Sequence, residues 1–350
     1  MHYSREMENV EFRYSIMETQ PLRKMSIGKP GWAALCLLGV CLAAARPVMA
    51  GAPVRDEPIQ PLPSRHGQDE RKVALGRMLF HDKRLSKDDS LSCAGCHPLA
   101  TGGMDGKARS AGVGGAEGTI NAPTVYNAGL LLAQFWDGRA QGLEEQVNGP
   151  IKNPLEMATT WEAIIPKLER DPEYIRRFGE LYASRVTAEA ARDAIASFER
   201  SLITADSPFD RWLRGDETAL GTAEKEGYAL FKSYGCVACH QGANAGGNMF
   251  QRMGVMGDYF ADRKTALTPA DQGRFNFTGR EEDRYYFKVP SLRLAALTAP
   301  YFHDASVDNL PDAIRVMARY QLGREINDAH VEKIFAFLKA LPGKHQELSQ

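Results

Sequence analysis

The sequence predicts a mainly α-helical protein built from two related halves, and three observations carry that reading. Apolar residues recur at helical spacing in several stretches. Little period-two patterning appears anywhere. One arrangement also occurs twice: Gly76-x-x-Leu79-Phe80 precedes Cys93-Ala94-Gly95-Cys96-His97, and Gly227-x-x-Leu230-Phe231 precedes Cys236-Val237-Ala238-Cys239-His240. The chain has 350 residues, 43% hydrophobic and 25% charged, which suits a sizeable core and argues against wholesale disorder. Its 43 basic and 44 acidic side chains leave a net charge of −1, so no basic excess exists to hold a nucleic-acid backbone.

The first segment is a leader. Arg23, Lys24 and Lys29 precede the apolar run Trp32 to Ala45, and Val48-Met49-Ala50 supplies the small or branched residues a signal peptidase reads. Residues 1–50 are therefore read as a signal peptide cleaved after Ala50, with translation starting at Met25. The run is too short for a membrane helix, which needs roughly 20 residues. Val40 before Cys41 does not match a lipid-attachment site. The mature protein is thus expected in the periplasm, or at the cell surface, without a transmembrane span.

The elements after the leader follow from pattern. Each Gly-x-x-Leu-Phe string reads as a short amphipathic helix feeding the cysteine motif behind it. Thr101–Gly118 holds seven glycines and no apolar period, so it reads as a mobile loop beside the first motif. Val186–Ile203 reads as a helix that Thr187 can cap, with Ala191, Ile195, Phe198 and Leu202 along one face. Ser207-Pro208 and Gly215-Asp216 interrupt helical patterning over Asp206–Glu217, placing a domain boundary between 51–210 and 211–350. Asn327–Leu341 reads as the last helix, with Val331, Ile334, Phe335, Leu338 and Leu341 as its apolar stripe and Pro342-Gly343 as its stop.

The cysteines carry the chemistry. Cys36 and Cys41 leave with the leader, so Cys93, Cys96, Cys236 and Cys239 remain. Four cysteines in an exported chain could form two disulfides, but all four fall in two copies of Cys-x-x-Cys-His. Composition predicts roughly 0.002 such strings by chance in a chain of this length. In this pattern two thiols add to the two vinyl groups of one haem and the next residue places its imidazole on the iron. A thioredoxin-like pair does not need the trailing His, and a zinc site would have to join two clusters far apart in sequence. Two covalently bound haem c groups are therefore expected, with His97 and His240 as iron ligands. Each half reads as a cytochrome c-like haem domain, the two related by internal duplication.

The strings between the motifs are more specific. Phe135-Trp136-Asp137-Gly138-Arg139-Ala140, Gln146-x-x-Gly149-Pro150, Glu156-Met157, Phe287-Lys288-Val289-Pro290-Ser291-Leu292-Arg293, Ala299-Pro300-Tyr301-Phe302-His303-Asp304 and Gln321-Leu322-Gly323 together resemble the bacterial di-haem cytochrome c peroxidases. The resemblance runs from about Leu75 to Leu341. It implies a peroxidatic N-terminal haem on His97 and an electron-transfer C-terminal haem on His240. The family's second haem takes a Met fourteen residues after the His of the Tyr-Phe-His-Asp string, here Met317. A thioether ligand raises the potential; Met249, Met253 and Met256 are the competing methionines, expected to pack. The resemblance makes Glu156 the distal acid that moves a proton between peroxide oxygens, Gln146 the distal amide, and Trp136 the indole between the haems. It also implies calcium at Asn121, Thr298 and Pro300, a site poor in carboxylates and hence weak.

One departure matters. The family's glycine loop usually carries a His that caps the peroxidatic iron in the oxidised state. Aligned on Asn121-Ala122-Pro123-Thr124, that position is Val113, and no His occurs between His97 and His240. Tyr126 and Lys107 are within reach in sequence but have no pattern support.

The resemblance thus implies reduction of hydrogen peroxide with electrons from a small cytochrome c or cupredoxin, in a family that is commonly dimeric. Two other readings stand beside it: oxidation of protein side chains, as in the related di-haem enzyme that matures methylamine dehydrogenase, and non-catalytic electron carriage. The first of these relatives has a Tyr at the position of Met317, so Met317 favours the peroxidase; Glu156 beside an uncapped iron argues against a mere carrier.

Overall fold

Helix α1 (Glu70–Phe80) starts where the Asp69 carboxylate accepts the Arg71 N–H, and buries Leu75, Gly76, Leu79 and Phe80. Those residues meet α4 (Ala188–Ser201), which Thr187 caps through the Ala190 N–H, as its sequence suggested. Between them α2 (Trp161–Leu168) and α3 (Pro172–Tyr182) close the first core with Ile164, Leu168, Tyr174 and Phe178. This computed structural model describes residues 54–349. The leader at 1–50, with Cys36 and Cys41, lies outside the described residues.

The chain restarts helically at α5 (Pro208–Leu213). The Ser207-Pro208 pair that interrupts the sequence pattern is a helix start: Ser207 and Asp210 form a reciprocal capping box, and Pro208 takes the first turn, where its missing N–H costs nothing. Then α6 (Thr222–Tyr234), α7 (Leu310–Leu322) and α8 (Asp328–Lys339) build the second core around Phe209, Phe231, Ile334 and Phe337. On α8 the buried aromatic is Phe337, while Phe335 packs only at the edge, a turn-phase difference of two residues.

The two halves use the same crossing. A Cβ on Gly76 of α1 would stand 1.9 Å from the Ala194 carbonyl oxygen of α4, and one on Gly227 of α6 would stand 1.9 Å from that of Lys333 in α8. Only glycine permits that approach. The repeated Gly-x-x-Leu-Phe string is thus a helix-contact string: Leu79 and Phe80 are buried one turn on from Gly76, and Phe231 one turn on from Gly227.

Strand is scarce, as the patterning implied. Among the described residues β1 (Phe250–Arg252) and β2 (Tyr286–Lys288) form one antiparallel pair, with Phe250 opposite Lys288. No helix there is long and apolar enough to cross a membrane.

Both ends of the described residues reach over to the opposite half. Near the start, Ile59 joins the second core and Leu62 N–H donates to Asp210. At the other end Leu348 packs with Phe80, Leu99 and Tyr126, and Ser349 N–H donates to the Ala100 carbonyl. A fully buried ion pair fastens this arrangement: Arg293 binds Asp210 at 2.9 Å and also donates to the Ala243 and Gln60 carbonyls at 2.7 and 2.6 Å. The charge is compensated and its N–H groups are taken up, which a buried ion pair requires to persist.

Candidate active site

The two Cys-x-x-Cys-His strings fold alike. Cys93–Cys96 makes one helical turn after Ser92, and the His97 N–H closes it on the Cys93 carbonyl at 2.9 Å. Cys236–Ala238 makes a tighter turn, and the His240 N–H closes on the Cys236 carbonyl at 3.0 Å. In each case Nδ1 of the imidazole faces a carbonyl, that of Gly103 at 3.1 Å for His97 and that of Ala245 at 3.3 Å for His240. A second backbone carbonyl acts on each ring, that of Pro123 on His97 and that of Pro290 on His240. Burial pushes both imidazoles down, His240 to about 4, so both are held neutral, the form that ligates metal. None of the four thiols is in a disulfide.

A cavity of about 420 Å³ opens over the second motif. Cys236, Cys239 and His240 line it from one side and Met317, on α7, from another. Of the competing methionines, Met253 also lines the cavity, buried with Tyr259, Phe260 and Phe287 in a cluster that Met317 packs against as well, whereas Met256 is exposed.

Trp136, Asn121, Thr298 and Pro300 lie on the wall of the same cavity. The Trp136 indole N–H donates to the Asn121 carbonyl at 2.9 Å, and the Trp136 carbonyl accepts the Lys288 N–H at 2.8 Å. Asn121 spends its side-chain amide on the Lys107 carbonyl, and Thr298 its hydroxyl on the Leu294 carbonyl. The three residues expected at calcium thus line the same cavity as the expected conduit, and one of them, Asn121, is bonded to it.

Glu156 stands at the other motif. It is half-buried, Asn153 Nδ2 donates to its Oε1 at 2.6 Å, and its charge is felt at Cys96. Burial pushes its carboxyl up; the Asn153 hydrogen bond and the charge of Arg139 pull the other way and do not offset it. Gln146 ends the short turn Leu143–Gln146, half-buried, its amide without a hydrogen bond to a described residue.

The glycine-rich loop reaches Glu156, but its far end is a built turn. Ala111 bridges Glu117, the Gly112 N–H donates to the Ala116 carbonyl at 2.7 Å, and the Val113 N–H donates to the Glu156 carbonyl at 2.8 Å. A Cβ on Gly112 would stand 2.1 Å from the Leu155 carbonyl oxygen. Neither substitute cap fits. The Tyr126 hydroxyl is buried and donates to the Leu99 carbonyl at 3.0 Å, and Lys107 is exposed.

A charged cluster backs Trp136. The His303 ring stacks on Phe287, meets Trp136 edge-on at 6.3 Å and bonds Asp271 through Nε2 at 2.8 Å. Arg263 binds Asp271 and Asp304 in turn. Burial alone would push the Asp271 carboxyl up, but hydrogen bonds from His303, Arg263 and Thr268 outweigh it and hold it well below the usual carboxylate range. A guanidinium already stands between the carboxylates, with both of its terminal nitrogens bound and only the buried Arg263 Nε left without a hydrogen-bond partner.

Comparison with known proteins matches residues 70–218 to the family model "Di-haem cytochrome c peroxidase". Cytochrome c peroxidase Ccp of Escherichia coli is 50% identical over 298 residues, covering 85% of this chain; the chain spans 63% of that longer protein. Cytochrome c551 peroxidase of Nitrosomonas europaea is 47% identical over 295 residues, covering 84% of this chain and 86% of its own. The chain belongs to the di-haem cytochrome c peroxidase family. Among solved structures, a MauG-like protein associated with microbial copper homeostasis superposes with a TM-score of 0.70 at 28% identity, over 82% of this chain and 94% of the other.

Di-haem peroxidases carry two haem groups, and the residues present fit them. Each motif has two free thiols and a neutral imidazole whose Nδ1 is already held by a carbonyl, the arrangement that orients a histidine for a metal. The second motif also opens on an apolar cavity.

Two features of the site escaped sequence reasoning. Arg263 and Asp271 lie in a stretch without a motif, so only the fold brings them to His303. Lys288 stood within a quoted string without a role; a single cation between Phe287 and Val289 was the available signal.

Proposed function

We propose that the protein is a periplasmic di-haem peroxidase that reduces hydrogen peroxide to water, taking electrons from a small cytochrome c or cupredoxin. Bound haem would supply the iron that receives peroxide at the first motif and the one-electron relay at the second. The remaining chemistry belongs to side chains. His97 and His240 would each hold one iron, and Met317 would be a further ligand of the iron that His240 holds. Trp136 stands between the expected relay and the peroxide site. Asn121, Thr298 and Pro300 hold calcium at the cavity edge.

Reduction of one peroxide consumes two electrons and two protons and yields two waters, so a group must hold and pass protons where the O–O bond breaks. Glu156 is that group: as carboxylate it takes a proton from peroxide at Oε, and as carboxylic acid it returns it to the departing oxygen. The Asn153 amide fixes the Oε1 edge, and Gln146 supports the bound peroxide by hydrogen bonding. The observation that carries this reading is Glu156 itself, a half-buried carboxyl pushed up by burial, close enough for its charge to act on Cys96 of the first motif.

Steady-state turnover tests it. Peroxide with a reduced small cytochrome should give rapid oxidation of the cytochrome. Absence of that reaction, together with modification of a partner protein by peroxide, would assign the chain to side-chain oxidation.

A further inference from the structure

Among the described residues lining the cavity over the second motif, Lys288 is the only Lys, Arg, Asp or Glu. It is 7% exposed, yet its ammonium makes no hydrogen bond or ion pair with a described residue. The one opposite charge set against it is Asp137, and both oxygens of that carboxylate are already bound by Arg139 at 3.0 Å. Burial pushes the lysine down to about 8, as expected for an ammonium without a partner. Buried charges persist where something pairs with them. The backbone of Lys288 is meanwhile fixed: its N–H donates to the Trp136 carbonyl, and it pairs across β1 and β2 with Phe250.

A haem brings two carboxylates on its edge, and no other Lys or Arg among the described residues lines this cavity to receive one; His303, also on the wall, already has its Nε2 on Asp271. We propose that Lys288 is the cation that receives a carboxylate of the haem held over the second motif, and that it thereby raises the reduction potential of that haem. The inference rests on the reading of this cavity as the second haem's site. The physical reason is direct: reduction adds one negative charge to the haem, and a cation at its edge in a low-dielectric wall favours the reduced form. Because the same residue holds the Trp136 carbonyl, the pairing also ties the haem edge to the indole.

The test uses the di-haem holoprotein and three forms: parent, Lys288→Met and Lys288→Arg. Covalent haem content is measured first, by pyridine haemochrome. Redox titration of the second haem should then show Lys288→Met displaced toward the oxidised state by about tenfold in equilibrium constant, which is 59 mV for a one-electron couple, and Lys288→Arg restored toward the parent. A fully loaded Lys288→Met that titrates like the parent overturns the assignment. Should the variants fail to fold, the parent itself decides. A lysine ammonium bound to the haem edge gives a haem-shifted, slowly exchanging NH₃⁺ signal by NMR; ordinary shifts with free exchange for every lysine overturn the proposal. A parent with haem only at the first motif would instead overturn the reading of the cavity.

Discussion

The backbone N–H of Val113 donates to the carbonyl oxygen of Glu156 at 2.8 Å. The loop position from which relatives usually extend a His to the peroxidatic iron is therefore docked, by its main chain, on the residue expected to handle the proton. Gly112 makes the contact close, with no room for a Cβ against the Leu155 carbonyl. The loop and the acid are one structural unit at the first motif.

Glu156→Gln and Glu156→Ala should each lower peroxide turnover by about 10²–10⁴-fold, the range for a positioned acid–base group. Covalent haem content and reduction by the donor should stay near the parent. Burial raises the Glu156 carboxyl, so its base form is lost as the pH falls through a value above the ordinary carboxylate range. The acid limb of kcat/KM should accordingly sit higher than a solvated glutamate would give, and should vanish in Glu156→Gln. Parent-like turnover in both variants would remove Glu156 from the mechanism.

Met317→Ala should leave both haems attached while lowering the potential of the second, because the thioether is lost and the linkages to Cys236 and Cys239 are not. Redox titration reads this directly. Met253→Ala is the control: both methionines line the cavity and pack in the same aromatic cluster, so truncating either should cost stability through lost packing, but Met253→Ala should leave the potential near the parent value. A potential drop in Met253→Ala with none in Met317→Ala would exchange the two roles.

Gly227→Ala should destabilise the protein by about 1–3 kcal/mol through overpacking, since its Cβ would meet the Lys333 carbonyl oxygen at 1.9 Å. Denaturant unfolding of the holoprotein measures it. The effect should be larger than that of Gly179→Ala, where a Cβ meets nothing within 4 Å. Equal midpoints for the two variants would mean that the α6–α8 crossing has slack the distances do not show.

What could be read from sequence divides along a physical line. Helix starts at Thr187 and Asn327 were legible because a capping side chain acts within a few residues of its own position. The cysteine motifs were legible because their chemistry fixes spacing. The loop Thr101–Gly118 read as mobile because it lacks apolar period, yet main-chain bonds to Glu156, 43 residues beyond Val113, hold its far end, and no local pattern encodes them. The reach of both ends of the described residues onto the opposite half was invisible for the same reason: Arg293 meets Asp210 and the Gln60 carbonyl only after folding. Lys288 was conspicuous in composition but silent in role until the cavity showed no other Lys, Arg, Asp or Glu among its described lining residues.

The last prediction concerns activation. A valine has no lone pair to give to iron, and Val113 is docked on Glu156 by its backbone. The Tyr126 hydroxyl is buried and engaged with the Leu99 carbonyl, and Lys107 points its side chain to solvent. No protein group among these is free to close the peroxide side of the first haem. The fully oxidised holoprotein should therefore give a high-spin ferric EPR signal from that haem, and should react with peroxide on mixing, without a preceding one-electron reduction. Pre-reduction should supply electrons and add little else. Val113→His should partly convert the high-spin signal to low-spin and introduce a lag that pre-reduction removes, provided the Gly112 turn still undocks from Leu155. Gly112→Ala should loosen the docked turn yet leave the signal high-spin, because no ligand is gained. A purely low-spin oxidised spectrum, with peroxide reactivity appearing only after one-electron reduction, would show that another residue closes the site and would overturn this account of the loop while leaving the role of Glu156 to its own test.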